Sequence, residues 1–278
     1  MTVGIIGLGL IGGSMAKAYK KNSDAVVLAA DRDHTTVEYA RLQGAVDGEL
    51  TAETIPGCDL ILLALYPQAA IEYLKNIAHH IAKDTLVIDL CGTKRTVCEW
   101  GFALAKEYGF TFVGGHPMAG TQYSGFKHAK ENLFSGASMV LVPPTFDDIF
   151  LLDRVKRALA PAGFGRMTVT TAEQHDEMIA FTSQLAHVVS NAYVKSPTAR
   201  SHKGFSAGSY KDLTRVARLN EEMWSELFVE NKEHLVSELN TLIAALTEYR
   251  DAIRDGDGEK TRSLLKDGRE AKEFIDGK

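Results

Sequence analysis

The chain has 278 residues, 45% hydrophobic and 24% charged, with a net charge of −5. That length holds one large or two medium domains, with ample apolar material for a soluble core. An acidic balance without any basic block argues against nucleic acid or another polyanion as the main partner.

The first elements alternate in type. "TVGII" (2–6), "AVVLAA" (25–30), "DLILLAL" (59–65), "TLVIDL" (85–90) and "FTFVG" (110–114) are short apolar runs that predict strands. Pro67–Ile81 and Lys94–Tyr108 predict helices between them. Such alternation predicts a parallel sheet covered on both faces. "ASMVLVP" (137–143) and "RMTVT" (166–170) predict two more strands at one edge. Past residue 170 the strands stop. Ala172–Lys195 reads as one helix, and the Gly-, Ser- and Pro-containing stretch 196–210 as a loop. Asn220–Arg254 reads as one long helix, with Phe228, Leu235, Leu242 and Tyr249 seven residues apart and Leu239 and Leu246 beside them. "RDGDGEK" (254–260) ends it before a last, charged helix. The expected architecture is α/β: a Rossmann-type parallel-sheet domain over 1–170, then an all-α substrate-binding and dimerisation domain over 171–278. The apolar seam is buried either within one chain or, as favoured here, against a second subunit.

Cys58, Cys91 and Cys98 are odd in number and lack paired spacing or a neighbouring histidine cluster. Neither a disulfide framework nor a metal site is expected, and the setting is a reducing, cytoplasmic one. No segment reaches the ~20 apolar residues of a membrane span.

"GLGLIG" places Gly7, Gly9 and Gly12 in G-x-G-x-x-G spacing, between a strand and a helix. Asp31 follows nineteen positions after Gly12, at the end of the second strand. Gly7 permits the tight turn, Gly9 the approach of a pyrophosphate, and Gly12 close helix–strand packing, while the helix N-terminus offers free amides to phosphate. Asp31 can accept both hydroxyls of a ribose and would repel a 2′-phosphate, so the expected cofactor is NAD; the neighbouring Arg32 softens that preference. The expected cofactor set is Gly7, Leu8, Gly9, Leu10, Ile11, Gly12, Asp31, Arg32 and Leu65.

In "FVGGHPMAGT" (112–121), His116 follows a strand, where ligands of open parallel sheets bind. Gly114 and Gly115 are expected to free the backbone and Pro117 to fix the turn after it. A histidine there can take a proton from a hydroxyl while hydride leaves the same carbon. A histidine satisfied by loop carbonyls is the alternative.

"GLGLIGGSMA", "DLCGTK" (89–94), "GGHPMAGTQYSGF" (114–126), "SQLAH" (183–187), "DLTRVA" (212–217) and "MWSELFVENKE" (223–233) together resemble the TyrA family, the prephenate and arogenate dehydrogenases of tyrosine biosynthesis. The resemblance runs nearly end to end. It implies NAD-dependent oxidative decarboxylation of prephenate to 4-hydroxyphenylpyruvate by a homodimer, with arogenate as the alternative substrate. It implies that His116 is the catalytic histidine, that Arg215, at a T-R-x-A helix start, grips the ring carboxylate, and that His187 lies near the substrate side chain. Ser183, Gln184, His187 and Asn191 share one helix face in a stretch without Asp, Glu, Lys or Arg between Glu177 and Lys195, which suits a pocket wall. The chain departs from the family at two points. The usual serine partner of the catalytic histidine is Gly92, so Thr93 or water is expected to supply that hydroxyl. Some members carry histidine where Gln184 stands. A carboxylate near the side chain would favour arogenate; Asp176 and Glu177 lie a few turns from His187. The resemblance places no chorismate mutase segment before residue 1 and no regulatory ACT-like domain after 278, so feedback through an appended domain is not expected. Two other classes remain. A β-hydroxyacid dehydrogenase would want a lysine on the first helix after the sheet, and Ala172–Val194 has none. A non-catalytic NAD sensor would bind cofactor without turnover.

Overall fold

The computed structural model describes residues 1–277. Strands β1 (Thr2–Ile6), β2 (Val26–Ala30), β3 (Gly48–Glu49), β4 (Leu60–Leu63), β5 (Leu86–Asp89), β6 (Thr111–Pro117), β7 (Ser138–Val142) and β8 (Arg166–Val169) form one sheet. Its order is β3-β2-β1-β4-β5-β6-β7-β8. All neighbours are parallel except β6 and β7. The "LILL" of β4 and "LVID" of β5 are wholly buried, as expected of strands covered on both faces. Successive residues point to opposite faces: Ile5 and Leu62 enter one core, Ile6 and Leu63 the other. Helices α1 (Leu10–Asn22), α2 (His34–Leu42) and α5 (Ile149–Leu159) contribute to the first core, and α3 (Pro67–Ile77) and α4 (Arg95–Tyr108) to the second. The chain direction across the sheet reverses between β1 and β4, and the carboxyl ends of those strands form the switch point at which such sheets bind ligands.

Strand β6 runs further than "FTFVG". It pairs parallel with β5 at Thr111–Val113, then antiparallel with β7 from Gly114 to Pro117. His116 therefore lies inside a strand, opposite Val140, and Pro117 continues the ladder instead of making a turn. Gly114 and Gly115 serve close packing. A Cβ at 114 would stand 2.4 Å from Cys98 Sγ, and one at 115 would stand 2.6 Å from the Asp89 carbonyl oxygen.

Beyond the sheet, α6 (Ala172–Ile179) and α7 (Ala186–Tyr193) are joined by a π-helical turn, Ala180–Leu185. The single helix expected over 172–195 thus contains a bulge, a feature common near functional sites. The expected loop 196–210 contains a 3₁₀ turn, Pro197–Ser201, and leads into α8 (Gly208–Thr214). Arg215 caps the end of α8 and does not start a helix. The expected long helix is two: α9 (Glu221–Glu230) and α10 (Lys232–Arg254), separated at Asn231. Asn231 leaves helical geometry and buries its amide, which donates to the Asp176 carbonyl and to Gln184 Oε1, both at 2.8 Å.

The chain divides into two compact units, Met1–Asn231 and Lys232–Lys278. In the second, α10 and α11 (Gly258–Ile275) form a hairpin, with the Tyr249 hydroxyl donating to the Leu264 carbonyl. Val236, Ile243, Leu246 and Ile253 of α10 are exposed.

Candidate active site

The glycine loop is shaped by two contacts and one space. Gly7 has φ +90°, and a Cβ there would meet the Ala64 carbonyl oxygen at 2.5 Å and Leu65 Cδ2 at 2.7 Å. A Cβ on Gly12 would stand 1.9 Å from the Gly7 carbonyl oxygen. These two glycines bring the loop, α1 and β4 together. Gly9 differs: nothing lies within 4 Å of its Cβ position. Packing does not demand glycine there, so the space is left for something outside the fold. Gly9 begins α1 without a side-chain cap, and the first turn, including Leu10 and Ile11, carries no acidic residue. Asp31 Oδ2 accepts from the Leu8 amide at 2.7 Å and Oδ1 from the Asp33 amide at 2.9 Å. That carboxylate is anchored at the end of β2, next to the cradle. Arg32 beside it is exposed, and Leu65 is half-buried against Gly7. These features fit a dinucleotide: uncapped amides and open space for the phosphates, a fixed carboxylate for a ribose.

The carboxyl ends of β5 and β6 carry the ionisable groups. Asp89 and Lys94 are fully buried and form an ion pair. Asp89 also accepts from the amides of Cys91 at 3.0 Å and Gly115 at 3.2 Å. His116 is only partly covered. Its Nδ1 lies 2.9 Å from Nε2 of His175, and His175 Nδ1 lies 2.7 Å from Asp176 Oδ1. Asp176 further accepts from the amides of Lys94 at 2.8 Å and Arg95 at 2.9 Å, so it caps the start of α4 from α6. Burial pushes the His116 pKa well below its usual value, and the Lys94 ammonium pushes the same way. Burial likewise lowers His175, and outweighs the Asp176 hydrogen bond that would raise it. Asp176 is also buried, but its bonds from His175 and the two amides prevail and hold its carboxyl below the usual range.

The expected hydroxyl is engaged elsewhere. Thr93 Oγ1 donates to Glu230 Oε2 at 2.6 Å, and among the described residues it makes no hydrogen bond to His116. Burial raises the Glu230 pKa despite the bonds from Thr93 and Gln68. A Cβ at Gly92 would stand 3.1 Å from Leu227, so the glycine gives Leu227 its seat.

The polar face of α6–α7 divides its work. Gln184 is buried, donating to the Leu227 carbonyl at 3.1 Å. Ser190 and Asn191 donate to the carbonyls of Leu213 and Ala217 at 2.7 and 3.0 Å. These side chains hold the 208–231 segment in place. His187 donates through Nδ1 to the Ser183 carbonyl at 2.7 Å and stacks on Trp224 at 4.1 Å between ring centroids, leaving Nε2 as the acceptor. Burial lowers its pKa, and the charge of Arg215 lowers it further. Ser183 is half-buried; Arg215 is exposed, and among the described residues no carboxylate pairs with it. Sequence reasoning missed His175, Trp224 and Glu230. An adjacent His-Asp pair early in a helix carries no signal until β6 is known to lie opposite it.

Two family models match the chain. The prephenate dehydrogenase nucleotide-binding domain matches residues 15–167, and the prephenate dehydrogenase dimerization domain matches residues 171–267. Prephenate dehydrogenase of Bacillus subtilis is 27% identical over 285 residues, covering 99% of this chain and 76% of that protein. The structure of prephenate dehydrogenase from A. aeolicus, in complex with hydroxyphenyl propionate and NAD+, matches with TM-score 0.84 and 26% identity, over 99% of this chain and 98% of that one. Synechocystis arogenate dehydrogenase matches with TM-score 0.80 and 25% identity, over 99% and 100%. A nucleotide-binding model covering more than half the chain, followed directly by its companion helical model, shows that the chain belongs to the prephenate dehydrogenase family.

Proposed function

We propose that the chain is an NAD-dependent prephenate dehydrogenase, converting prephenate to 4-hydroxyphenylpyruvate and carbon dioxide in tyrosine biosynthesis. The observation that carries this reading is His116: an imidazole at the ligand-binding end of the sheet, kept toward its neutral form by burial, with Nδ1 engaged by His175 and no hydrogen bond to Nε2 from the described residues. Bound NAD supplies the hydride acceptor, held by the 7–12 loop, Asp31, Arg32 and Leu65. His116 takes the proton of the ring hydroxyl as its carbon gives up hydride. The carbon–carboxylate bond then breaks, its electron pair makes the ring aromatic, and the proton on His116 returns to the phenolic oxygen. The protein contributes orientation and charge placement. Arg215, His187 and Ser183 hold the substrate, with Gln184 shaping the wall behind them. Thr93, whose hydroxyl donates to Glu230, takes no part in this proton transfer.

Asp176 bears on the choice of substrate. It is buried and already accepts from His175 and two amides, so it is closed to the ammonium of arogenate. In a two-by-two assay of prephenate and arogenate with NAD and NADP, turnover is expected to be highest with prephenate and NAD; preference for arogenate would reverse the assignment. Arg215→Ala is expected to raise KM for prephenate roughly tenfold or more, the scale of a lost charged hydrogen bond, with KM for NAD unchanged.

The same reading makes the protein a cytoplasmic homodimer joined through its C-terminal helices. Support comes from three buried free thiols and from the exposed apolar stripe of α10. Val236 and Ile243, like Leu246 and Ile253, are one heptad apart on that stripe. Ile243→Glu is expected to shift the species seen by analytical ultracentrifugation from dimer to monomer.

A further inference from the structure

We propose that His175 and Asp176 are positioning residues that set the tautomer of His116 and share the charge it acquires. The inference rests on the reading of His116 as the base.

Asp176 accepts from the Lys94 and Arg95 amides and is an ionised, acceptor-only group. His175 Nδ1, at 2.7 Å from Oδ1, must then carry hydrogen. A neutral imidazole has one N–H, so His175 Nε2 is a lone pair. His116 Nδ1 lies 2.9 Å from that lone pair and must donate to it. The hydrogen of neutral His116 is thereby placed on Nδ1, and the lone pair falls on Nε2, the nitrogen without a protein partner. Without this chain both tautomers of His116 are open, and only one can accept a proton at Nε2. Among the described residues no hydroxyl hydrogen-bonds to His116: position 92 is glycine and Thr93 is held by Glu230.

The pair also answers the charge that follows. When His116 takes a proton it becomes an imidazolium in a buried setting beside the Lys94 ammonium. His175 passes that positive charge toward the Asp176 carboxylate through two hydrogen bonds of ordinary length. Other charged groups here are Asp89, which neutralises Lys94, and Arg95, 3.5 Å from Asp176 Oδ2.

The test has two arms. In protein free of cofactor and substrate, ¹⁵N NMR of the histidine rings is expected to show His116 with a protonated Nδ1 and a bare Nε2. The reverse pattern overturns the proposal whatever the enzyme turns over. In kinetics, His175→Leu is expected to lower kcat about 10²-fold, part of what a positioned acid–base group contributes, with KM for both reactants within about threefold. His175→Gln places an amide oxygen where it can accept from His116 and is expected to restore at least tenfold of that loss. An unchanged kcat in folded His175→Leu, or a loss confined to KM, overturns the proposal. Should His175→Leu not fold, His175→Gln with a bare His116 Nδ1 in its spectrum would do the same. If the wild type shows the expected tautomer but no turnover of prephenate, the assigned reaction fails and the relay stands.

Discussion

Replacing His116 by asparagine is expected to lower kcat by about 10²–10⁴, the range for a positioned acid–base group, while the dissociation constant for NAD stays within about twofold. The separation of the two effects follows from the fold. The dinucleotide cradle is built by β1, the start of α1 and the end of β2. His116 stands on β6, with β4 and β5 between β1 and that strand. Steady-state kinetics would measure the first quantity and titration with NAD the second. A variant that turns over normally removes the assigned role. The pH profile is a second reading of the same residue. Burial, and with it the Lys94 ammonium, holds the imidazole neutral below its ordinary pKa of 6.5. The neutral form is the base, so activity persists as pH falls through 6.5 and declines only below it. The acid limb of kcat/KM, which reports the free enzyme, is expected beneath 6.5; a limb above that value would place the essential base elsewhere.

Seven of the eight strands are legible as short β-rich runs, most of them apolar because both faces of the sheet are covered, but β3, only Gly48–Glu49, carries no such run. Helix α5 is absent from the expected elements, although Leu151, Val155, Ala158 and Leu159 keep helical spacing. The break at Asn231 is not legible. The heptad from Phe228 to Leu235 runs straight through it, and its cause is a pair of acceptors, on Asp176 and Gln184, far away in the chain. The two glycines before His116 are visible as a feature, but their reason is not: they look like a flexible turn and are a tightly packed strand. Two of the four residues on the polar face of α6–α7 serve the protein itself, since Gln184 and Asn191, with Ser190 beside them, tie down backbone carbonyls. A polar stripe without full charges marks a place where backbone must be satisfied out of water, and a pocket wall is one case of that. His175 enters the site only because Asp176 caps α4, a contact between residues more than eighty positions apart in the chain.

Lys94→Met is expected to destabilise the protein by about 3–5 kcal/mol, the cost of removing one partner of a buried ion pair. Both members have no exposed surface, and Asp89 would keep only the amides of Cys91 and Gly115. Although burial alone would lower the lysine pKa, the Asp89 carboxylate keeps it above its ordinary value, so the wild-type pair is charged across neutral pH. Without Lys94 the buried carboxylate is stranded, and taking a proton relieves that cost. The folded state of the variant then gains from proton uptake, so its stability falls as pH rises out of the acid range. The deficit should therefore be small in acid and grow toward neutral pH, which urea unfolding at a series of pH values would resolve. Asp89→Asn in the same chain should recover part of the loss, because no charge is then left unpaired. A pH-independent deficit would mean that lost packing, not the stranded carboxylate, dominates. The effect reaches the chemistry as well. Lys94 helps to hold His116 neutral, so its removal should move the acid limb of kcat/KM upward even under conditions where the variant remains folded.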